Sequence, residues 1–139
     1  MKWVRVDDLI VPVRKNRKLD RKISYYIFKE GEIDIKTLIA RLEPLTKGEK
    51  AAVHRYVRIL ATVGLVELKG EGMNKIIRAL VPPIPVEAYK LAVEAQLKRT
   101  SKKELAKKLG VSPQTIDTWR RGAVARDQRI LMKILQGGD

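Results

Sequence analysis

Residues 103–122 read KELAKKLGVSPQTIDTWRRG, and the spacing of their apolar residues decides how the C-terminal part of the chain folds. Leu105 and Leu109 stand four apart and share a helical face, with Ala106 beside them small enough to let another helix approach. Ser101 and Glu104 have the Ser-x-x-Glu spacing of a capping box, so this helix starts at Lys102. Gly110 allows the chain to leave it with positive φ. Ser112 caps a second helix, and Pro113 suits its first turn. Ile116 and Trp119, three apart, point inward. The pattern is a short helix, a tight turn and another short helix.

The second helix turns its polar residues outward: Gln114, Thr115, Thr118, Arg120 and Arg121, with Ser112 at its start. On the framework of Ala106, Gly110, Ile116 and Trp119 plus the Ser112 cap, the stretch resembles the helix-turn-helix of lambda-repressor-like and Cro-like DNA-binding domains. The resemblance implies that the helix from Pro113 to Arg121 enters the major groove. There Gln114 suits adenine, and Arg120 or Arg121 suits guanine or phosphate. Asp117 departs from this picture, because an acid facing the groove repels phosphate. It either accepts from cytosine or points elsewhere. The competing reading of the same stretch is an αα-hairpin without a ligand, or a helix-turn-helix used for protein contacts.

Composition favours a polyanion as partner. The chain has 139 residues, with Lys+Arg 30 against Asp+Glu 16 and a formal net charge of +14. Hydrophobic content of 45% supplies a core, so this is no disordered basic tail. Cysteine is absent and His54 is the single histidine, which removes disulfides, thiolate metal sites and histidine clusters. No apolar run approaches the ~18 residues of a membrane span. The start, MKWVRVDDLI, carries acids and is not a secretory signal. The expectation is a cytoplasmic, nucleoid-associated protein. Scarce Asn and Gln with plentiful Lys, Arg and Glu match a thermophile's usage.

VPPIP at 81–85 divides the chain. Three prolines in five residues exclude a helix and favour an extended spacer of ~15 Å. Basic residues exceed acidic ones by 13 to 8 over 1–50, by 5 to 2 over 51–83 and by 12 to 6 over 84–139, so both halves can meet nucleic acid. After the spacer, Val86, Tyr89, Val93 and Leu97 share one helical face. Near the end, Ile130, Leu131, Ile134 and Leu135 pack a last helix. With the opening pair this makes four helices over 86–139.

Before the spacer, Ile23, Tyr26 and Ile27 mark a helix, and EIDI at 32–35 reads as a strand or a helix entry. Ile35, Leu38, Ile39 and Leu42 mark a second helix that Pro44 ends. Thr46 and Glu49 form a capping box for a third, along which Val53, Tyr56, Val57 and Leu60 recur at i, i+3, i+4, i+7. Gly64 closes it, and LVELK, GEGMN and KIIRAL follow as strand, turn and strand. The order, together with VHRYVRILATVGLVELKGEG, resembles winged-helix regulators, whose hairpin is the wing. Lys47, Lys50, His54 and Arg58 form one stripe of the third helix with Arg55 beside it, and Lys69 and Lys75 lie in the wing strands. These suit phosphate contact; a solvated basic face is the plain alternative.

WVRVDDLIVPV at 3–13 is β-prone, with Pro12 demoting it to an edge or a loose extension. RKNRK at 14–18 is a basic cluster that serves as an arm along the backbone or as a solvated linker. Trp3 is expected in packing or a dimer contact. The reading is therefore a mainly α chain: a basic extension over 1–19, a winged helix-turn-helix over 20–80, a linker over 81–85 and a four-helix helix-turn-helix domain over 86–139. No nucleophile with a companion base, phosphate loop or metal constellation is visible, so no enzyme, cofactor or small-molecule substrate is expected. The expected function is that of a double-stranded DNA-binding transcription regulator acting as a homodimer, since one short helix covers few base pairs. Tandem use of two heads in one chain is the alternative to pairing. An architectural or interaction protein of a replication, partition or recombination complex is the alternative function, and a DNA-targeting part of a recombinase a third.

Overall fold

The computed structural model describes residues 1–136. Helices dominate, but two small three-stranded sheets make the structure mixed α/β. The chain forms two compact units. One runs from Asn16 to Pro83. The other combines Met1–Lys15 with the chain from Ile84 onward.

The chain opens with β1 (Lys2–Val6) and β2 (Leu9–Val13), an antiparallel hairpin in register from Lys2↔Val13 to Val6↔Leu9. Asp7 at its turn takes φ 52, a conformation that Asp tolerates better than most residues. All five residues of β2 are buried. In the first unit to be completed, Asn16–Pro83, α1 (Lys18–Glu30) leads through β3 (Glu32–Asp34) into α2 (Ile35–Leu42) and α3 (Lys47–Thr62). Then β4 (Val66–Lys69), a 3-10 turn at Gly72–Asn74 and β5 (Ile76–Ala79) form a hairpin. The sheet order is β3-β5-β4, all antiparallel. EIDI thus does both things its sequence allows: Glu32–Asp34 is a strand, and Asp34 caps α2 by accepting from the Thr37 amide at 3.0 Å. Ile23, Ile27, Phe28, Leu38, Val53, Val57, Leu60 and Ile77 form the core. Ser24 and Tyr56 satisfy each other inside it through a 2.8 Å hydrogen bond.

The chain returns to the other unit through β6 (Ile84–Pro85), which pairs antiparallel with β2 at Leu9↔Pro85 and Ile10↔Ile84. Four helices follow: α4 (Val86–Arg99), α5 (Lys102–Leu109), α6 (Pro113–Arg120) and α7 (Gln128–Leu135). Their core joins Trp3, Ile10, Val13, Tyr89, Val93, Leu105, Ile116, Trp119, Leu131 and Ile134. Gln96 is buried where an apolar residue is expected, and its amide donates to the carbonyl of Ile134 at 2.7 Å.

Two expectations are corrected. Residues 1–19 are not an extension: 2–13 are a hairpin of the C-terminal unit, with Trp3, Val4 and all of β2 buried, and α1 begins at Lys18. Pro12 is tolerated because β6 pairs only with Leu9 and Ile10, which leaves β1 alone beside β2 at that point. Residues 81–85 are not all spacer, because Ile84 and Pro85 belong to a strand. Of the two roles expected for Trp3, packing is the one observed: it is 2% exposed within its own chain. No described helix is long and apolar enough to cross a membrane.

The division of the chain makes a direct prediction. Trp3→Ala should lower the unfolding transition of the unit containing α4–α7, at a cost of about 3–5 kcal/mol for a buried aromatic. The transition of Asn16–Pro83 should stay in place. Calorimetry of the full chain reads both. Loss of only the Asn16–Pro83 transition would contradict the assignment of the hairpin.

Candidate nucleic-acid interface

The turn between α5 and α6 is built from local chemistry. The Ser101 hydroxyl accepts from the Glu104 amide at 3.1 Å, which starts α5 at Lys102. Gly110 ends it in the left-handed conformation at φ 74, ψ 31, where a side chain would be strained. Ser112 then caps α6, accepting from the Thr115 amide at 3.3 Å and sharing a 2.9 Å hydrogen bond with the Thr115 hydroxyl. Both therefore serve the cap, and Thr115 is half-buried.

Ile116 is fully buried and Trp119 is 5% exposed, which fixes the rotation of α6. At 100° per residue, the direction opposite them belongs to Gln114, Thr118 and Arg121. All three are exposed. The Thr118 hydroxyl donates back to the Gln114 carbonyl at 2.9 Å. Arg120 leaves this stripe, because its Nε donates to Glu94 on α4 at 2.8 Å. Asp117 also has a partner: Lys102 Nζ donates to both its oxygens, at 3.1 and 2.9 Å. The acid whose direction the sequence leaves open is thus paired from α5. Lys102 and Glu94 are the residues beside α6 that sequence reading misses. They stand 15 and 26 positions from their partners, so no helical spacing announces them. After α6, the Tyr89 hydroxyl accepts from the Ala125 amide at 3.1 Å and fastens the following loop. Burial pushes that phenol well above its ordinary range.

In the other unit, α3 begins at a complete capping box. Thr46 accepts from the Glu49 amide at 3.1 Å, and Glu49 accepts from the Thr46 amide at 3.0 Å. Those hydrogen bonds from Thr46 hold the Glu49 carboxyl below its ordinary value. Hydrogen bonds from Thr37 do the same for Asp34 at the start of α2. Val53, Tyr56, Val57 and Leu60 are buried, which sends Lys47, Arg55 and Arg58 outward. Among the described residues, none of these three has an acidic partner within 4.0 Å. His54 is half-buried on the flank of the stripe. Lys50 turns to Glu43 at 3.4 Å. On the hairpin, Lys69 lies 3.6 Å from Glu67, which Arg78 also contacts at 3.0 Å, while Lys75 is half-buried.

The thirteen expected site residues therefore separate into five sets. Gln114, Thr118 and Arg121 share one exposed stripe of α6, and Lys47, Arg55 and Arg58 share one exposed face of α3. Lys50, Lys69 and Arg120 are committed to ion pairs, and Ser112 and Thr115 to a cap. His54 and Lys75 stand at the margins. Among the described residues, no three acidic or histidine side chains gather as a metal site. Comparison with protein-family models, with curated proteins and with solved structures finds no match to this chain.

The capping box carries a pH signature. Because the folded Glu49 carboxyl titrates below its ordinary 4.5, its contribution is complete above that value and is lost as the pH falls through the lowered folded value. A carboxyl titration followed by NMR should show Glu49 below the ordinary range, and Thr46→Ala, which removes the hydroxyl but keeps the backbone N–H that donates to Glu49, should move it only part of the way back. A Glu49 carboxyl in the ordinary range in the parent chain would exclude the box as the cause.

Proposed function

We propose that this chain is a double-stranded DNA-binding protein with two basic heads, a transcription regulator in which α6 reads base edges and α3 holds phosphates. One observation carries this reading. The outward stripe of α6 presents an amide, a hydroxyl and a guanidinium, and both nearby acids, Asp117 and Glu94, are neutralised by cations of the same chain. A helix that offers Gln and Arg without an uncompensated carboxylate suits the major groove. The net charge of +14 supplies the long-range attraction.

The helix α5, the turn and α6 correspond in this proposal to the helix-turn-helix of lambda-repressor-like domains. The Asn16–Pro83 unit corresponds to a winged helix, supported by its order α1-β3-α2-α3-β4-β5 and its sheet order β3-β5-β4. Gln114 is assigned to adenine and Arg121 to guanine. Arg120 positions α6 through Glu94 and is not assigned a base. The second reading is loose, sequence-independent binding by an architectural protein. It is favoured by the α3 face, where Arg55 and Arg58 accompany Ala51 and Thr62 and no side-chain amide joins them.

Selection of bound duplexes from a random pool, followed by salt-titrated binding, decides between the two. A regulator prefers its selected site over random DNA by ~10³ or more. Gln114→Ala with Arg121→Ala should erase most of that preference. Arg55→Ala with Arg58→Ala should weaken binding to every sequence and reduce the slope of log affinity against log salt by about two. Lys50→Ala should change the slope less, since Glu43 already holds Lys50. A preference that survives loss of Gln114 and Arg121 would overturn the role given to α6.

A further inference from the structure

Leu91 lies on α4 opposite the buried residues Val86, Tyr89, Val93 and Gln96. It is 69% exposed, more than any other large apolar side chain among the described residues. On the same side, Ala88 and Ala95 are exposed three and four positions away. A single exposed leucine needs no explanation. This one, however, lies at the middle of a helix with an acid in its first turn and two basic residues in its last. Glu87 is exposed at the N-terminal end, and Lys98 and Arg99 are exposed at the C-terminal end. Lys90 lies 3.8 Å from Glu87 at the highly exposed first turn. Among the described residues, Lys98 and Arg99 have no acid within 4.0 Å. The order of charges also suits the dipole of α4 itself, which accounts for the charges but not for the leucine between them.

We propose that this face of α4 pairs two copies of the chain, antiparallel, with Leu91 of each copy seated on Ala95 of the other. A two-fold axis beside position 93 makes that match reciprocal, as a symmetric dimer requires. The large side chain meets the small one twice, so the seam interdigitates. The same axis brings the end of α4 that carries Glu87 in each copy level with the end that carries Lys98 and Arg99 in the other, with Glu87 on the flank of Lys98. A parallel pair would instead set Glu87 beside Glu87 and Lys98 beside Lys98, which costs energy. Glu94 falls near the axis, where two acids would meet. Arg120 neutralises it within its own chain at 2.8 Å.

The contact is small. A helix of 14 residues is about 21 Å long, so the pair buries less than the ~1,200 Å² of a stable interface. The dimer is therefore weak in solution and gains stability when one duplex holds both copies. It rests on the DNA-binding reading for its purpose, which is to bring two α6 helices to one site, but α4 alone carries it.

Sedimentation equilibrium of the full chain without DNA tests the pairing. Over roughly 10 to 500 µM, the average mass should rise toward that of a dimer. Leu91→Glu, at an exposed position, should fold normally by circular dichroism and weaken pairing at least about tenfold. Glu87→Lys should weaken it, as should Lys98→Glu with Arg99→Glu, and mixing the two variants should restore it. Because the chain has no cysteine, a mixture of Leu91→Cys and Ala95→Cys chains should cross-link under mild oxidation faster than either alone. A parent chain that stays monomeric, or a Leu91→Glu chain that pairs as the parent does, overturns the proposal. The DNA reading fails separately: a chain that pairs but binds no duplex refutes that reading alone, and one that binds DNA without pairing refutes only the dimer.

Discussion

The pairing of β2 with β6 is the contact on which the C-terminal unit depends. Ile10↔Ile84 and Leu9↔Pro85 join segments about seventy-five residues apart and close the unit across the inserted Asn16–Pro83 chain. The Val86 amide then donates to the Asp8 carbonyl at 2.9 Å, which starts α4 at a fixed place. From α4, Tyr89 fastens the loop after α6, Gln96 ties α7, and Glu94 holds Arg120. The stripe of Gln114, Thr118 and Arg121 is thus aimed by a helix whose own position is set by an N-terminal strand. A unit of this size could not spare that hairpin, since Trp3, Val11 and Val13 are among its most buried apolar residues.

Electrostatics around α6 act on direction more than on stability. The Lys102–Asp117 and Arg120–Glu94 pairs are each partly exposed, and such pairs contribute about 0–1 kcal/mol. Their effect on the surface field is larger. They offset the two acids beside the outward stripe and leave Arg121 as the charged residue on it. The α3 face is different in kind. Arg55 and Arg58 carry full charge with little neighbouring hydrogen-bonding variety, which suits contact with a uniform backbone. The two heads therefore divide affinity and discrimination between them in the proposed function.

Much of this was legible in the sequence wherever the determinants are local. Gly110, Ser112 with Pro113, and Thr46 with Glu49 each act within four residues and take the cap or turn that their spacing predicts, while Ser101 caps α5 but Glu104 accepts from the Thr100 hydroxyl instead of closing the expected box. The hairpin of β4 and β5 follows from β-prone runs on either side of a glycine-rich turn. What sequence could not supply is tertiary. Nothing within MKWVRVDDLIVPV says that its partner is Ile84, and Pro12 argues against a strand until the single-sided pairing at that position is known. The roles of Arg120 and Lys50 changed for the same reason: each looks free on a helical wheel, and each is claimed by an acid that the fold brings within reach. Lys69 is different, since its acid, Glu67, stands two positions away on the same strand.

The central claim is that α6 and α3 present the surfaces that meet DNA. Amide and side-chain NMR shifts during titration with a short random duplex at low salt test it most directly. The account predicts the largest changes at Gln114, Thr118 and Arg121 and at Lys47, Arg55 and Arg58, with the core around Trp3 and Tyr89 undisturbed. Changes confined to other surfaces, or none at low salt, would contradict it.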